Sequence, residues 1–114
     1  MSDCLFCKII KREIPSTIVY EDDLTLGFKD INPLASVHLL IIPKKHIASL
    51  NDIKEEDQML IGHLMMVAQK LANEFNVAES GYRLVTNIGK DGGQIIHHLH
   101  FHLLGGETLG SKLA

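Results

Sequence analysis

Four of the seven histidines in this chain fall between positions 97 and 102, in the run His97-His98-Leu99-His100-Phe101-His102. Successive side chains of an extended strand point to opposite faces. His98, His100 and His102 therefore share one face, and Leu99, Phe101 and Leu103 share the other. The three histidine positions would stand about 6.5–7 Å apart along such a strand. His97 points away with the apolar set or precedes the regular strand. A merely solvated face would be better served by Thr, Lys or Glu, and the interleaved Leu and Phe make the run part of a core, not a tag. Imidazoles at this density suit metal or phosphate. Neutral imidazole is a common ligand. A protonated ring offers charge and two N–H donors, and a neutral one is a good nucleophile toward phosphorus. The preceding Gly89-Lys90-Asp91-Gly92-Gly93 is a glycine-rich turn whose N–H groups could cradle an anion. That turn favours the phosphate reading.

A second feature carries chemistry. The two cysteines, Cys4 and Cys7, form a C-x-x-C pair. Without a secretory signal the chain is expected in the cytoplasm, where such a pair points to metal or redox chemistry more than to a structural disulfide. A redox pair is expected at a helix start after a strand, and no strand precedes it, so redox is the weaker option. The net charge of -3 gives no electrostatic case for a nucleic-acid backbone as partner. No apolar run approaches the roughly 18 residues that span a bilayer, so no membrane partner is expected.

The elements that must position these groups follow from pattern. The chain has 114 residues, of which 46% are hydrophobic, enough for one domain over residues 1–114 with its own core. Leu5, Phe6, Ile9 and Ile10 recur at helical spacing, and Pro15 closes that segment. Residues 17–21 and 24–29 read as a hairpin around Asp22-Asp23. Asp30-Ile31-Asn32-Pro33 is a loop. Residues 37–42 are nearly continuously apolar and predict a central strand buried on both faces. Asp52 with Glu55 resembles a capping box ahead of a long helix, whose stripe is Leu60, Leu64, Val67, Leu71 and Phe75. Residues 81–87 and 96–104 predict two more strands. Short connections favour antiparallel pairing. The class is α+β: an antiparallel sheet of about five strands with one long and one short helix.

The run from Gly92 to Gly106 resembles the signature of the histidine-triad family, in which three histidines alternate with apolar residues. The likeness extends through Phe6-x-Lys8-Ile9-Ile10, Glu13-Ile14-Pro15, Tyr20-Glu21-Asp22-Asp23 and Phe28-x-Asp30-Ile31-x-Pro33. It continues through His38-x-Leu40-Ile41-Ile42-Pro43-Lys44 and Gly81-Tyr82-Arg83, all in family order. Gly105-Gly106 is similar to the nucleotide-binding, purine nucleoside phosphoramidase branch. The resemblance implies hydrolysis of nucleoside 5′-phosphoramidates, or related acyl or thio nucleotides, to the nucleoside monophosphate. The alternatives are a dinucleoside polyphosphate hydrolase and a non-catalytic nucleotide-binding scaffold.

Residue by residue, the resemblance implies His100 as the nucleophile that becomes nucleotidylated, and His102 as the donor to the phosphate or leaving group. It implies His98 as a support and His38 as an assisting fourth histidine. Asp30 would hold the ribose hydroxyls, a role it shares with a plain turn-forming aspartate. Leu5, Phe6, Ile9, Phe28 and Ile31 would wall the base, and Asn87, Gly93, Gln94 and Ile95 would lie on the phosphate side. Ile95 departs from the family, which carries Ser or another polar residue there. The loss of one substrate hydrogen bond, roughly 0.5–1.5 kcal/mol if neutral, implies a weaker or shifted substrate preference. Relatives with an N-terminal C-x-x-C join it to two histidines around structural zinc, here Cys4, Cys7, His46 and His98. Relatives are also homodimers. Met59, Met65 and Met66 lie off the main helical stripe and give the long helix apolar residues for such a contact.

Overall fold

The computed structural model describes residues 3–113. A short helix α1 (Leu5–Ile10) comes first, then strands β1 (Ile18–Glu21), β2 (Thr25–Lys29) and β3 (Val37–Pro43). The long helix α2 (Gln58–Glu74) follows, then β4 (Tyr82–Val85) and β5 (Phe101–Gly105). The strands form one five-stranded sheet in the order β1-β2-β3-β5-β4, with every neighbouring pair antiparallel. The α+β architecture expected from the sequence is present. Among the described residues, no helix is long and apolar enough to cross a membrane.

β3 is central and buried on both faces, as its apolar run predicts. Leu39 and Ile41 point into the core under α2, where Leu64, Val67 and Leu71 supply the helical stripe. Burying each such side chain stabilises the fold by about 1.5–3 kcal/mol. Leu40 and Ile42 point the other way and pack with Phe6, Ile9, Leu26 and Phe28. The sheet therefore divides the molecule into an α2 side and an α1 side. Gly27 belongs to the α2 side, and a Cβ there would come within 3.2 Å of Leu71 Cδ1. Glycine is what allows the helix to close on the hairpin.

Two boundaries differ from expectation by more than a residue or two. The helix is not entered through an Asp52–Glu55 box. Ser49 caps a 3-10 turn at Leu50–Asp52, a second turn covers Glu55–Asp57, and α2 begins at Gln58. The carboxylate that reaches back is that of Asp57, which accepts from the Lys54 N–H at 3.0 Å and from Lys45 Nζ at 2.6 Å. The last strand starts at Phe101 rather than at residue 96. Its ladder with β3 ends at Ile41 opposite Phe101, and upstream of that pair residues 96–100 bond to loops instead.

Candidate active site and an adjoining cysteine–histidine cluster

The register of the sheet assembles the site on the α1 side. Phe28 stands opposite Leu40, and Leu40 opposite His102, so one row crosses β2, β3 and β5. His38 lies two residues before Leu40 on the same face of β3. It meets His102 diagonally, with Nε2 2.9 Å from His102 Nδ1. Asp30 follows β2 and is held there by its N–H on the His38 carbonyl at 3.0 Å. Across this surface lies a cavity of about 440 Å³. Leu5, Phe6, Ile9, Phe28 and Ile31 form its apolar wall, and Asp30, Asn87, Gly93, Ile95, His100 and His102 line the rest.

Hydrogen-bond partners that can act in only one direction fix the tautomers. The Leu34 N–H donates to His38 Nδ1 at 3.1 Å, so the neutral His38 ring carries its proton on Nε2. That proton faces His102 Nδ1 at 2.9 Å and Asp30 Oδ2 at 3.4 Å. His102 Nδ1 is then an acceptor, and His102 Nε2 carries the N–H. The His98 carbonyl accepts from His100 Nδ1 at 2.7 Å, which leaves the lone pair of His100 on Nε2. The rings of His100 and His102 are 5.0 Å apart in an edge-to-face arrangement. The cavity thus presents a neutral nucleophilic nitrogen beside an N–H donor. Burial lowers the pKa of His100 and of His38, and takes His102 down to about 4 with help from its histidine neighbours. All three rings are neutral near pH 7.

Of the residues assigned to the phosphate side, Gln94 serves the turn, and Gly93 both braces the turn and lines the cavity. Gln94 does not line the cavity. Its Oε1 accepts from the Gly89 N–H at 3.0 Å, and its Nε2 donates to the carbonyls of Ala48 and Ile96. Gly93 lines the cavity with φ of 81°, but its N–H donates to the Lys90 carbonyl and the Gln94 N–H to the Gly89 carbonyl. These turn N–H groups brace the turn and form no anion cradle. Ile95 is 87% exposed on the rim. The turn role of Asp30 is also present, since its Oδ1 accepts from the Asn32 N–H at 2.8 Å. Sequence reasoning left out Ile14, Pro15, Ser16, Lys29, Asn32, Leu40 and Ile96, which also line the cavity. Register alone could have supplied Leu40, through its pairing with Phe28.

His98 faces elsewhere. Its ring is fully buried, and burial first of all takes its pKa down to about 4. His98 Nε2 donates to the Pro43 carbonyl at 2.8 Å, which leaves a lone pair on Nδ1. That nitrogen stands 3.3 Å from Cys4 Sγ, 3.6 Å from Cys7 Sγ and 3.2 Å from His46 Nδ1. Cys7 Sγ is 3.3 Å from His46 Nδ1. Burial, with the Cys4 thiol beside it, pushes the Cys7 thiol up. All four donor atoms lie within 4.8 Å of one another. Two sulfurs and two imidazole nitrogens at this spacing are the donor set of a tetrahedral metal centre. The edges of such a centre are about 3.3–3.8 Å for ordinary zinc–nitrogen and zinc–sulfur bond lengths. Asp30, His38 and His102 also converge, but the tautomer set by Leu34 places a proton on the His38 nitrogen that would have to bind.

An antiparallel sheet flanked by two helices, with His100 and His102 of one segment at a cavity and His38 of the neighbouring strand bonded to His102, defines a small histidine-based phosphoryl-chemistry site. The chain belongs to the histidine-triad family. Residues 3–113 match the family model described as "Scavenger mRNA decapping enzyme C-term binding". A relative named purine nucleoside phosphoramidase, from Escherichia coli (strain K12), is 49% identical over 112 residues, covering 98% of this chain and 94% of that one. The solved structure of a HIT family hydrolase from Clostridium thermocellum superposes with a TM-score of 0.94 at 51% identity, covering 100% of this chain and 99% of that one. A histidine triad nucleotide-binding protein from Candida albicans gives a TM-score of 0.87 at 36% identity, covering 98% and 80%.

Proposed function

We propose that this protein hydrolyses the P–N bond of nucleoside 5′-phosphoramidates, or of related acyl or thio nucleotides, through a covalent nucleotidyl-histidine. The observation that carries the reading is the tautomer order at the cavity: a lone pair on His100 Nε2 beside an N–H on His102 Nε2. His100 Nε2 attacks the α-phosphorus, a P–N bond to the ring forms, and the bond to the leaving amine breaks. Water then displaces His100 and releases the nucleoside monophosphate, so that one difficult step becomes two easier ones. The His98 carbonyl holds the N–H of the ring throughout and stabilises the positive charge of the nucleotidylated imidazole.

His102 donates toward the phosphoryl oxygens or the leaving nitrogen. A neutral imidazole is a good hydrogen-bond donor and a weak acid. Proton delivery therefore needs the imidazolium, and the phosphoryl charge brought against His102 in a dry pocket raises its pKa toward that form. The apolar wall takes the base, and Asp30 accepts from the ribose hydroxyls. The name carried by the Escherichia coli relative supports a purine nucleotide of the AMP or GMP type as ligand. The test compares adenosine 5′-phosphoramidate with a diadenosine polyphosphate, in the wild type and in His100→Ala. The wild type should release AMP faster from the phosphoramidate. The variant should lose turnover and still bind AMP within a few-fold. Equal activity of the variant would sink the covalent mechanism.

Cys4, Cys7, His46 and His98 form our proposed structural zinc site. Their donor types and spacing support it, as does the bond from His98 Nε2 to the Pro43 carbonyl, an outer contact that orients a metal-binding imidazole. Bound there, zinc would cross-link α1 to the segments after β3 and before β5. Metal analysis of protein purified without chelator checks it, and absence of zinc at any stoichiometry would end the idea. Free thiols suit the cytoplasm, the compartment we assign. We also propose a homodimer formed by a second copy on α2 and the edge strand β4. Met59 is 89% and Met66 62% exposed on the helix, and Tyr82 is exposed on the strand. A monomeric mass by light scattering would refute it.

A further inference from the structure

We propose that the cysteine–histidine cluster is a positioning device for the nucleophile, so that loading the metal sets the geometry of His100 and of the base pocket together. The inference rests on the hydrolase and zinc readings above and adds a physical link between them.

The link is His98, which works at both ends. Its ring stands among Cys4, Cys7 and His46, and its backbone carbonyl takes the His100 N–H at 2.7 Å. A second path runs through α1. Cys4 caps this helix and Cys7 lies within it, while Leu5, Phe6 and Ile9 of the same six residues wall the cavity. Phe6 touches both histidines edge-on, at 5.9 Å from His98 and 5.0 Å from His100 between ring centres. The first path has no regular element to fall back on. His98 and His100 precede β5, and apart from the His98 ring bond to the Pro43 carbonyl their segment is held by single bonds: Leu99 N–H to the Ile47 carbonyl, and Thr86 Oγ1 to the His100 carbonyl. With the cluster empty, four polar groups at the end of α1 lose the ion that would hold them together. His98 can then shift, and the carbonyl that fixes the His100 tautomer shifts with it. Cys4, Cys7, His46 and His98 are thus positioning residues for a reaction they do not touch.

The experiment compares zinc-loaded protein, chelator-stripped protein, His46→Ala and His46→Cys. A cleft lined by Cys4, His46 and His97 gives the chelator access. Four readouts are taken: zinc content, 15N chemical shifts of the His100 ring, affinity for AMP, and turnover. Circular dichroism confirms that each form is folded, and Val67→Ala, a packing change in the core on the α2 side of the sheet, controls for general loosening. Loaded protein should show a single His100 tautomer with Nδ1 protonated. Stripped protein and His46→Ala should show averaged ring nitrogens, AMP affinity weaker by several-fold, and turnover lower by about 10–100-fold. His46→Cys, which keeps a metal ligand, should restore all of these on zinc loading, and Val67→Ala should leave the His100 shifts unchanged. Unchanged His100 shifts and AMP affinity in folded, zinc-free protein would overturn the proposal. Absence of zinc in the purified protein would end the zinc reading and this one with it. Absence of turnover in every form, with the tautomer still metal-dependent, would refute only the hydrolase reading.

Discussion

Replacing His102 by alanine separates the two histidine roles that the tautomer order implies. His102 Nε2 is the cavity's imidazole donor, because its Nδ1 accepts from His38 at 2.9 Å and His38 is fixed in turn by the Leu34 N–H at 3.1 Å. Removing it takes away a donor to the transition state and the proton for the departing amine. General-acid assistance is worth about 10²–10⁴-fold in rate, or about 3–5 kcal/mol at roughly 1.4 kcal/mol per decade. That loss should appear in kcat/KM for an adenosine 5′-phosphoramidate with an alkylamine leaving group, which cannot depart as an anion. With an adenosine 5′-phosphoryl fluoride or aryl ester the leaving group needs no proton. Only a phosphoryl hydrogen bond is then lost, about 10-fold. His38→Ala removes the partner of His102 but not His102 itself, so its loss should be smaller and show the same dependence on leaving group. His100→Ala should abolish both reactions. An equal fold-loss for His102→Ala on the two substrates would refute proton delivery by this residue.

Ile95→Ser restores a polar side chain on the rim, and turnover of an adenosine phosphoramidate should rise by a few-fold; a slower serine variant would count against the reading of Ile95 as a lost contact. Gly92→Ala would place a methyl 2.3 Å from the Ile88 carbonyl oxygen, so the turn must move and carry Gly93 and Asn87 with it; KM should rise more than kcat falls, and unchanged kinetics would show that this turn does not shape the site. Asp22 accepts from Tyr20 Oη and His63 Nε2 at 2.6 Å and from the Leu24 and Thr25 N–H groups at 2.8 Å. Burial alone would raise its pKa, but these donors take it from 3.8 down to about 2. A depressed carboxylate contributes stability above its unfolded pKa and loses it as pH falls toward the folded value, so the contribution is whole at pH 5 and above and fades from about pH 4 downward. The side chain is 27% exposed, which leaves about 1–2 kcal/mol after screening. The difference in urea stability between wild type and Asp22→Asn should shrink from pH 5 to pH 3; an equal gap at pH 5 and pH 3 would contradict it.

How far the sequence discloses this molecule depends on whether a feature is written in local spacing. Periodicity reads which way a side chain faces, and on that it succeeds. Leu99, Phe101 and Leu103 do enter the core under α2, and His100 and His102 do face the cavity. Periodicity does not read which backbone groups are paired, so it extends β5 back to residue 96, although the chain there has no strand beside it. His98 shows what periodicity leaves out. Strand alternation sets it on the α1 side with His100 and His102, and its ring is indeed there, but among Cys4 and Cys7 and not on the cavity. The side chains around that ring lie 94, 91 and 52 residues away, so spacing could not disclose them and only resemblance to a family did. His38 is likewise 64 residues from His102, and only the β3–β5 register brings them together. The misread stretch is also where the chemistry concentrates. A strand residue in a ladder has its N–H and C=O committed to its neighbours, and its side chain is confined to one of two faces. Residues 96–100 are not so bound, and this lets His98 turn its ring one way and offer its carbonyl to His100 the other way. The irregular backbone that defeats the strand prediction is thus what allows one residue to join a metal-type cluster to a nucleophile.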